Sequence, residues 1–318
     1  MASLGQMFGG GAADTFMGLP ACADLAALQA RVALIGADCA TPYAGVGAYC
    51  AGGPAAIRAA SAAYAANLGH VNFDLGGPDL GGAVLPDPGA AVDAGDLRQR
   101  ADDPAGNRAR IAAAVGQVLD RGGVPVLVGG DDSVPIPMLG AFAGRGRPLT
   151  VLQIDAHIDW RDAVGGERLG LSSTMRRASE MEHVERIVQV GQRGIGSARP
   201  ADHADALRWG VQFVPASEVA REGIARAAAL VPRGAEVAIC LDLDALDPSV
   251  MPAVIGRTAG GLGYWQVVEL IAAVAGRARI AAFDMVEFMP ARDIDGQGAT
   301  TAAQLLATVV GLIARQTR

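Results

Sequence analysis

The sequence predicts an α/β protein built on an open, mostly parallel sheet. Three observations carry this. Short apolar runs rich in β-branched residues recur along the 318 residues, helical patterns separate them, and aspartate clusters stand where several of the runs end. Alternating strand and helix is what parallel strands require, because each return to the sheet needs a long crossover.

Residues 31–36 read as the first strand, followed by a Gly-rich loop and a helix opening at Pro54, where proline suits the first helical turn. Residues 105–121 carry a second helical pattern. Further strands are expected at 124–128, 151–154, 187–190, 237–241 and 280–283, each an aliphatic run of the kind buried on both faces. Helices are expected at 135–142, 174–183, 201–209, 216–230, 264–275 and 300–314, and no repeat of solenoid period is found. The first 20 residues, with Gly9-Gly10-Gly11, read as a flexible arm, leaving 21–318 as a single domain. That opening lacks the basic region and apolar core of a secretory signal.

Hydrophobic residues make up 51% of the chain but aromatics only 4%, and there are 43 Gly, so the interior should be aliphatic and closely packed. No apolar run has the length of a membrane span. A net charge of −7 argues against a nucleic-acid partner and is compatible with a small cationic substrate. All 26 basic side chains are Arg, which excludes Schiff-base and P-loop lysine chemistry, although the absence of Lys itself reads as genomic base composition. Cys22, Cys39, Cys50 and Cys240 form no CxxC pair and read as reduced thiols, consistent with a cytoplasmic protein.

The candidate chemistry lies at strand exits. Asp155-Ala156-His157-Ile158-Asp159 follows one apolar run and Asp242-Leu243-Asp244-Ala245-Leu246-Asp247-Pro248 follows another. Alternation places Asp155, His157 and Asp159 on one side, and Asp242 with Asp244 likewise. Gly129-Gly130-Asp131-Asp132-Ser133 leaves a third strand, and Glu287 follows a fourth. In parallel sheets such exits converge on one crevice. Packed carboxylates repel one another and are costly to bury without a compensating cation, so a metal site is the first reading. Mixed oxygen and nitrogen ligation suits Mn, Zn, Ni or Fe better than Ca. Blander readings exist for each: Asp131 or Asp132 as a helix cap, the first cluster as a solvated turn, the second as a phosphatase-like or Ca-binding DxDxxD, and Glu287 as a loop acid. Arg161, Glu167 and Arg168 read as solvated loop charges, with lining of a site mouth as the alternative.

Taken together, Gly53-Pro54-Ala55-Ala56-Ile57-Arg58, the Gly-Gly-Asp segment at 129–131, the two aspartate clusters, Gly260-Gly261-Leu262 and the 284–287 element resemble the ureohydrolase family of arginases and agmatinases over nearly the whole chain. The resemblance implies a three-layer αβα sandwich with a central, mostly parallel sheet of about eight strands. It implies a homo-trimer or hexamer and two divalent metal ions per chain, Mn expected and Ni the alternative. Asp155 and Asp242 would bridge the metals, Asp132 and Asp159 would join one, and His157 and Asp244 the other. A bridging hydroxide would attack the carbon of an agmatine-like guanidino substrate, giving urea and an amine. Glu287 would hold the guanidinium through a fork-like hydrogen-bond pair, Asp244 would assist catalysis, and Ser172 and Ser173 would contact substrate.

Two positions depart from that pattern. The family usually has His where Asp132 stands, and aligning on Thr174-Met175-Arg176-Arg177-Ala178 puts Leu171 where it commonly has a second His. Leucine relays no proton, so water, Asp244 or one of His70, His183 and His203 would substitute. The same departures suit a branch acting on guanidine or a biguanide, with Ni as its metal, or a non-catalytic subunit supporting a paralogous catalytic partner. A deacetylase with paired histidines is the least consistent reading.

Overall fold

The computed structural model describes residues 14–75, 82–85 and 87–316. One sheet organises them, with eight strands: β1 (Val32–Gly36), β2 (Ala91–Asp96), β3 (Val124–Val128), β4 (Leu149–Ile154), β5 (Val184–Val190), β6 (Gln212–Val214), β7 (Glu236–Asp242) and β8 (Arg279–Val286). Their order is β2-β1-β3-β8-β7-β4-β5-β6, and every pairing is parallel. The four strands that carry the candidate acids, β3, β8, β7 and β4, are consecutive at the centre. Register aligns their ends, with Val128 opposite Met285, Met285 opposite Leu241, and Leu241 opposite Ile154.

The inner strands are mainly apolar on both faces, as strands covered by helices on either side must be. In β1, Val32 and Leu34 enter one core cluster while Ala33 and Ile35 enter the other. The first cluster receives α1 (Gly53–Ser61), α6 (Ala216–Glu222), α7 (Ala225–Leu230), α8 (Tyr264–Ala275) and α9 (Gln297–Arg315). The second receives α2 (Pro104–Asp120), α3 (Pro135–Gly140), α4 (Thr174–Ala178) and α5 (Pro200–Trp209). This is the three-layer sandwich. Among the described residues α9 alone is long and apolar enough to cross a membrane, and most of it is buried within the core.

Local sequence accounts for the boundaries. Pro104 opens α2 behind Asp103, whose carboxylate accepts the Gly106 N–H at 2.9 Å. The helix expected over 216–230 is two helices, broken at Gly223 with φ of 74°. The helix expected over 174–183 ends at Ala178, before a turn into β5.

Two strands, β2 and β6, escaped the sequence reading. β6 has only three residues, and β2 (AVDAGD) carries two acids and a glycine where an apolar run is the usual sign. The structure explains why β2 tolerates them. Buried Asp93 takes a two-nitrogen fork from Arg58 of α1, at 2.7 and 3.0 Å, plus the Phe16 N–H at 2.8 Å. Arg58 is therefore a structural ion-pair residue. Phe16 also corrects the expected arm. Residues 1–13 lie outside the described residues, but Phe16, Met17 and Leu19 are buried, so the packed chain begins before residue 21.

Candidate functional site

Six acids and one imidazole meet beyond the ends of the four central strands. Asp155 is fully buried, Asp132 and Glu287 are 3% exposed, and Asp242 and Asp244 are 4% exposed. Asp159 and His157 are half-buried at the rim. Ligand atoms of Asp132, Asp155 and Asp242 lie within 4.8 Å of one another, and so do those of Asp155, His157 and Asp244. The two groups share Asp155, the arrangement that two adjacent cations require.

The backbone aims these side chains. The Asp155 carboxylate accepts the His157 N–H at 2.6 Å, and Asp242 accepts the Asp244 N–H at 2.7 Å. Asp244 accepts the Ala156 N–H at 3.1 Å, joining the two loops, and its other oxygen lies 3.0 Å from His157 Nδ1. Asp159 and Glu287 hold left-handed backbone, with φ of 43° and 68°. Non-glycine residues adopt that region at a cost, and here both instances orient a site carboxylate.

Supporting residues outside the expected set fix this geometry. Gln153 of β4 sends its amide to Asp155 at 2.6 Å and Asp159 at 2.7 Å, and is itself bonded by Gln189 of β5. The Arg193 guanidinium donates to the carbonyls of Asp244, Ala245, Leu246 and Thr258 at 2.7 to 3.2 Å, clamping the second cluster. Asp247 accepts Ser249 N–H and O–H and the N–H groups of Gly260 and Gly261, all within 3.1 Å. It is a structural acid. Gly261 is required there because a Cβ would stand 2.4 Å from Asp247 N. Tyr49 O–H donates to Glu287 Oε1 at 2.5 Å, and the Asp132 N–H reaches the same oxygen at 3.0 Å. A residue in a Gly-rich loop gives no sequence signal of such a contact.

Electrostatics point to a cation. Burial, then the neighbouring charges of Asp159, Asp155, Asp284 and Glu287, push Asp132 well above the usual carboxylate range. Burial followed by Asp244 raises Asp155, and burial followed by Asp244 and Asp155 raises Asp242. Burial pulls His157 down, but hydrogen bonds and charge from Asp155 and Asp244 prevail and carry it to about 12. Both oxygens of Asp132 are buried without a hydrogen-bond partner, which is costly for an ionised group unless a cation compensates it. The donor set fits divalent metal.

A cavity of about 300 Å³ opens onto these groups. Asp132, His157, Asp159, Asp242, Asp244 and Glu287 line it, together with Leu171 and Ser172. Ser173 is buried and does not line it. None of the three other histidines does either. His183 bonds the Leu139 carbonyl at 2.9 Å, His203 stacks on Phe213 with ring centroids 5.1 Å apart, and His70 lines a separate cavity. Arg161 lines the mouth, whereas Arg168 is exposed, so the solvated reading holds for Arg168 and fails for Arg161.

A central parallel sheet delivering clustered carboxylates and an imidazole, with a further buried glutamate, to one cavity is an arrangement able to hold divalent metal and fits a hydrolase. Comparison with known proteins agrees. The sequence matches the Arginase family over residues 30–311. It is 32% identical over 311 residues to guanidinopropionase of Pseudomonas aeruginosa, covering 94% of this chain and 91% of that one. It is 30% identical over 268 residues to a mitochondrial agmatinase of Gallus gallus, covering 80% and 73% respectively. Similar solved structures include proclavaminate amidino hydrolase from Streptomyces clavuligerus, with a TM-score of 0.79, 27% identity and 97% and 99% coverage. A hypothetical agmatinase from Burkholderia thailandensis gives a TM-score of 0.79 at 25% identity, covering 95% and 90%. The chain belongs to the arginase family and is a hydrolase of amidino C–N bonds in guanidino compounds.

Proposed function

We propose that this chain cleaves a small guanidino compound to urea and an amine at a site holding two divalent cations. The observation that carries the reading is the pair of ligand groups sharing Asp155, beside a glutamate able to bind a guanidinium. Asp132, Asp155, Asp159 and Asp242 would hold one cation, and Asp155, His157, Asp242 and Asp244 the other. Such cations, when bound, lower the pKa of water enough to supply a nucleophile at neutral pH. Carboxylate-rich ligation favours Mn, with Ni admitted by the imidazole.

The chain's own residues orient the substrate. Glu287 lines the cavity and its Oε1 accepts from Tyr49 and from the Asp132 N–H, two bonds that would hold the carboxylate in place to receive a guanidinium N–H. The leaving amine must gain a proton. With Leu171 lining the cavity and no second histidine there, Asp244 would carry it. Ser172 is positioned to contact substrate, and Ser173 acts only by supporting that wall. Free guanidine or a biguanide would leave the apolar wall of Ile158, Leu171 and Ile255 uncovered, so a substrate with an aliphatic tail fits better.

Assembly into a homo-trimer or hexamer in the cytoplasm completes the reading. It draws support from the exposed Phe73, Ile195 and Trp265, and light scattering would test it. The functional test is elemental analysis of the purified protein alongside urea release. About two cations per chain with guanidino-dependent urea production supports the reading, and urea release persisting in Asp155→Ala overturns it.

A further inference from the structure

A second cavity, of about 390 Å³, shares no lining residue with the one that holds the clustered acids. Tyr264, the first residue of α8, lines it together with Gln304 and Thr308 of α9 and residues between Tyr64 and Asp74. Its hydrogen bonds are unevenly spent. Tyr264 O–H donates to Asp74 Oδ2 at 2.6 Å, the Asn72 amide to Thr308 Oγ1 at 3.1 Å, the Thr308 O–H to the Gln304 carbonyl at 3.2 Å, and the Gln304 amide to the Tyr64 oxygen at 2.8 Å. These donors are used up within the lining itself. The acceptor capacity is not. A carboxylate has about four acceptor positions, and Tyr264 fills one of them on the half-buried Asp74. Asp74 pairs with no cation among the described residues, no arginine is among the described residues that line the cavity, and the only other group there able to carry charge besides the tyrosines is the exposed His70.

We propose that this cavity is a second ligand site, taking a small aliphatic ammonium ion on the Asp74 carboxylate. What the lining lacks is a positively charged N–H donor, and an ammonium group brings three donors and no acceptor. Its bonds to Asp74 are charge-assisted, the stronger kind. Tyr64 and Tyr264 add aromatic rings to the same lining, a surface to which cations are attracted. Met17, Val84 and Ala307 supply apolar area for a short carbon chain. An anion would meet the Asp74 carboxylate with no guanidinium to hold it, and a neutral alcohol would forgo the charge. The volume lies at the small end of ligand pockets, which suits an ion of a few carbons. Because the two cavities have no residue in common, this site stands or falls independently of the hydrolytic reading.

The test is calorimetric titration of the full-length protein with three probes of one size: butylammonium, neutral butan-1-ol and butyrate. Butylammonium should bind saturably, and the alcohol and the acid about tenfold more weakly or less, the size of one charge-assisted hydrogen bond. Asp74→Asn should lower butylammonium affinity by about the same factor, while its amide oxygen still accepts the Tyr264 O–H and keeps the local structure. Thermal melts check that it does. Val71→Arg gives a second variant at a 46% exposed position in the lining, where no core contact is at stake. It tethers a guanidinium beside Asp74 and should compete with the probe, lowering its affinity even if Asp74→Asn folds poorly. Glu287→Gln, in the other cavity, should leave butylammonium affinity unchanged. Equal binding of the alcohol reduces the cavity to an apolar hole and overturns the proposal, as does a preference for butyrate. Binding that is lost in Glu287→Gln but survives Asp74→Asn and Val71→Arg places the ion among the clustered acids and also overturns it. So does the absence of saturable binding, the result expected if a neighbouring copy of the chain already fills the seat.

Discussion

The loops after β3 and β7 both deliver aspartates to the site, and they do so in opposite ways. After β7, Asp242 caps the Asp244 N–H, Asp244 caps the Ala156 N–H, Asp247 gathers four donors, and Arg193 locks the carbonyls behind them. After β3, Asp131 takes all the local donors, namely Ser133 N–H and O–H and the Cys39 thiol, while both oxygens of its neighbour Asp132 have none. In the first loop each aspartate finds donors within the protein. In the second, Asp132 finds none. Of the two acids read as candidate helix caps, Asp131 does the local work and Asp132 lines the cavity.

The largest effect should come where the two loops meet. Asp155 belongs to both ligand groups, so Asp155→Ala should reduce urea release to background and bring the metal content well below two per chain. Retention of both cations would show that Asp155 is not the shared ligand. Asp132→Asn separates the loops further. It should lower metal content toward one per chain while raising the melting temperature of the metal-free protein, because it removes a buried charge that nothing in the chain compensates. A lower melting temperature without metal would show that Asp132 is internally satisfied after all.

The same contrast predicts a pH dependence for the metal-free protein. Burial pushes Asp284, beneath the site, up to about 8, and burial together with the charge of Asp131 outweighs Tyr49 to push Glu287 to about 8. Unfolded, such carboxyls titrate near ~4. Between those values the folded state binds more protons than the unfolded one, so stability falls as pH rises from about 4 to about 8. Thermal melts of chelator-treated protein should therefore show greater stability at the acidic end of that window. Added Mn should stabilise most at the alkaline end, where its ligands are free of protons. Equal metal-free stability across the window would remove the argument that these carboxyls are buried without compensation. Asp247 should behave in the opposite sense to Asp132. Asp247→Ala should cost about 1 kcal/mol in chemical denaturation, with metal or without, because it removes the acceptor that organises a partly exposed turn whose donors can return to water, and it should leave metal content unchanged.

Much of this was legible in the sequence because strand exits concentrate chemistry. Asp155, His157, Asp159, Asp242, Asp244 and Glu287 stand at predictable positions after aliphatic runs, and the sheet brings all but the fully buried Asp155 to the lining of one cavity. What the sequence hid falls into two physical kinds. β2 and β6 were invisible because their stability comes from elsewhere, from the Arg58 fork on Asp93 and from pairing with β5, and not from their own apolar pattern. Arg193 and Tyr49 were invisible because they act across 51 and 238 positions of chain, and Gln153 because an amide inside an aliphatic run carries no sign of its partners two and six positions on. Arg161 was read as solvated for the same reason, since its loop is brought over the cavity only by the fold.

Tyr49 supplies the smallest and most discriminating prediction. Its hydroxyl is one of two donors to Glu287 Oε1, the other being the Asp132 N–H at 3.0 Å, so removing it leaves the carboxylate half-held and not free. Tyr49→Phe should therefore lower kcat/KM on the preferred substrate by roughly tenfold, the size of one hydrogen bond to a charged group, with metal content unchanged. The loss should fall mainly in KM if Glu287 holds the guanidinium equally in the ground and transition states, and in kcat if the carboxylate tightens as the carbon becomes tetrahedral. A loss a hundredfold larger would mean that Tyr49 handles a proton as well as a carboxylate. No loss would mean that the left-handed backbone at Glu287 and the Asp132 N–H suffice to aim it, making the β3 loop the element that positions both a metal ligand and the substrate's anchor.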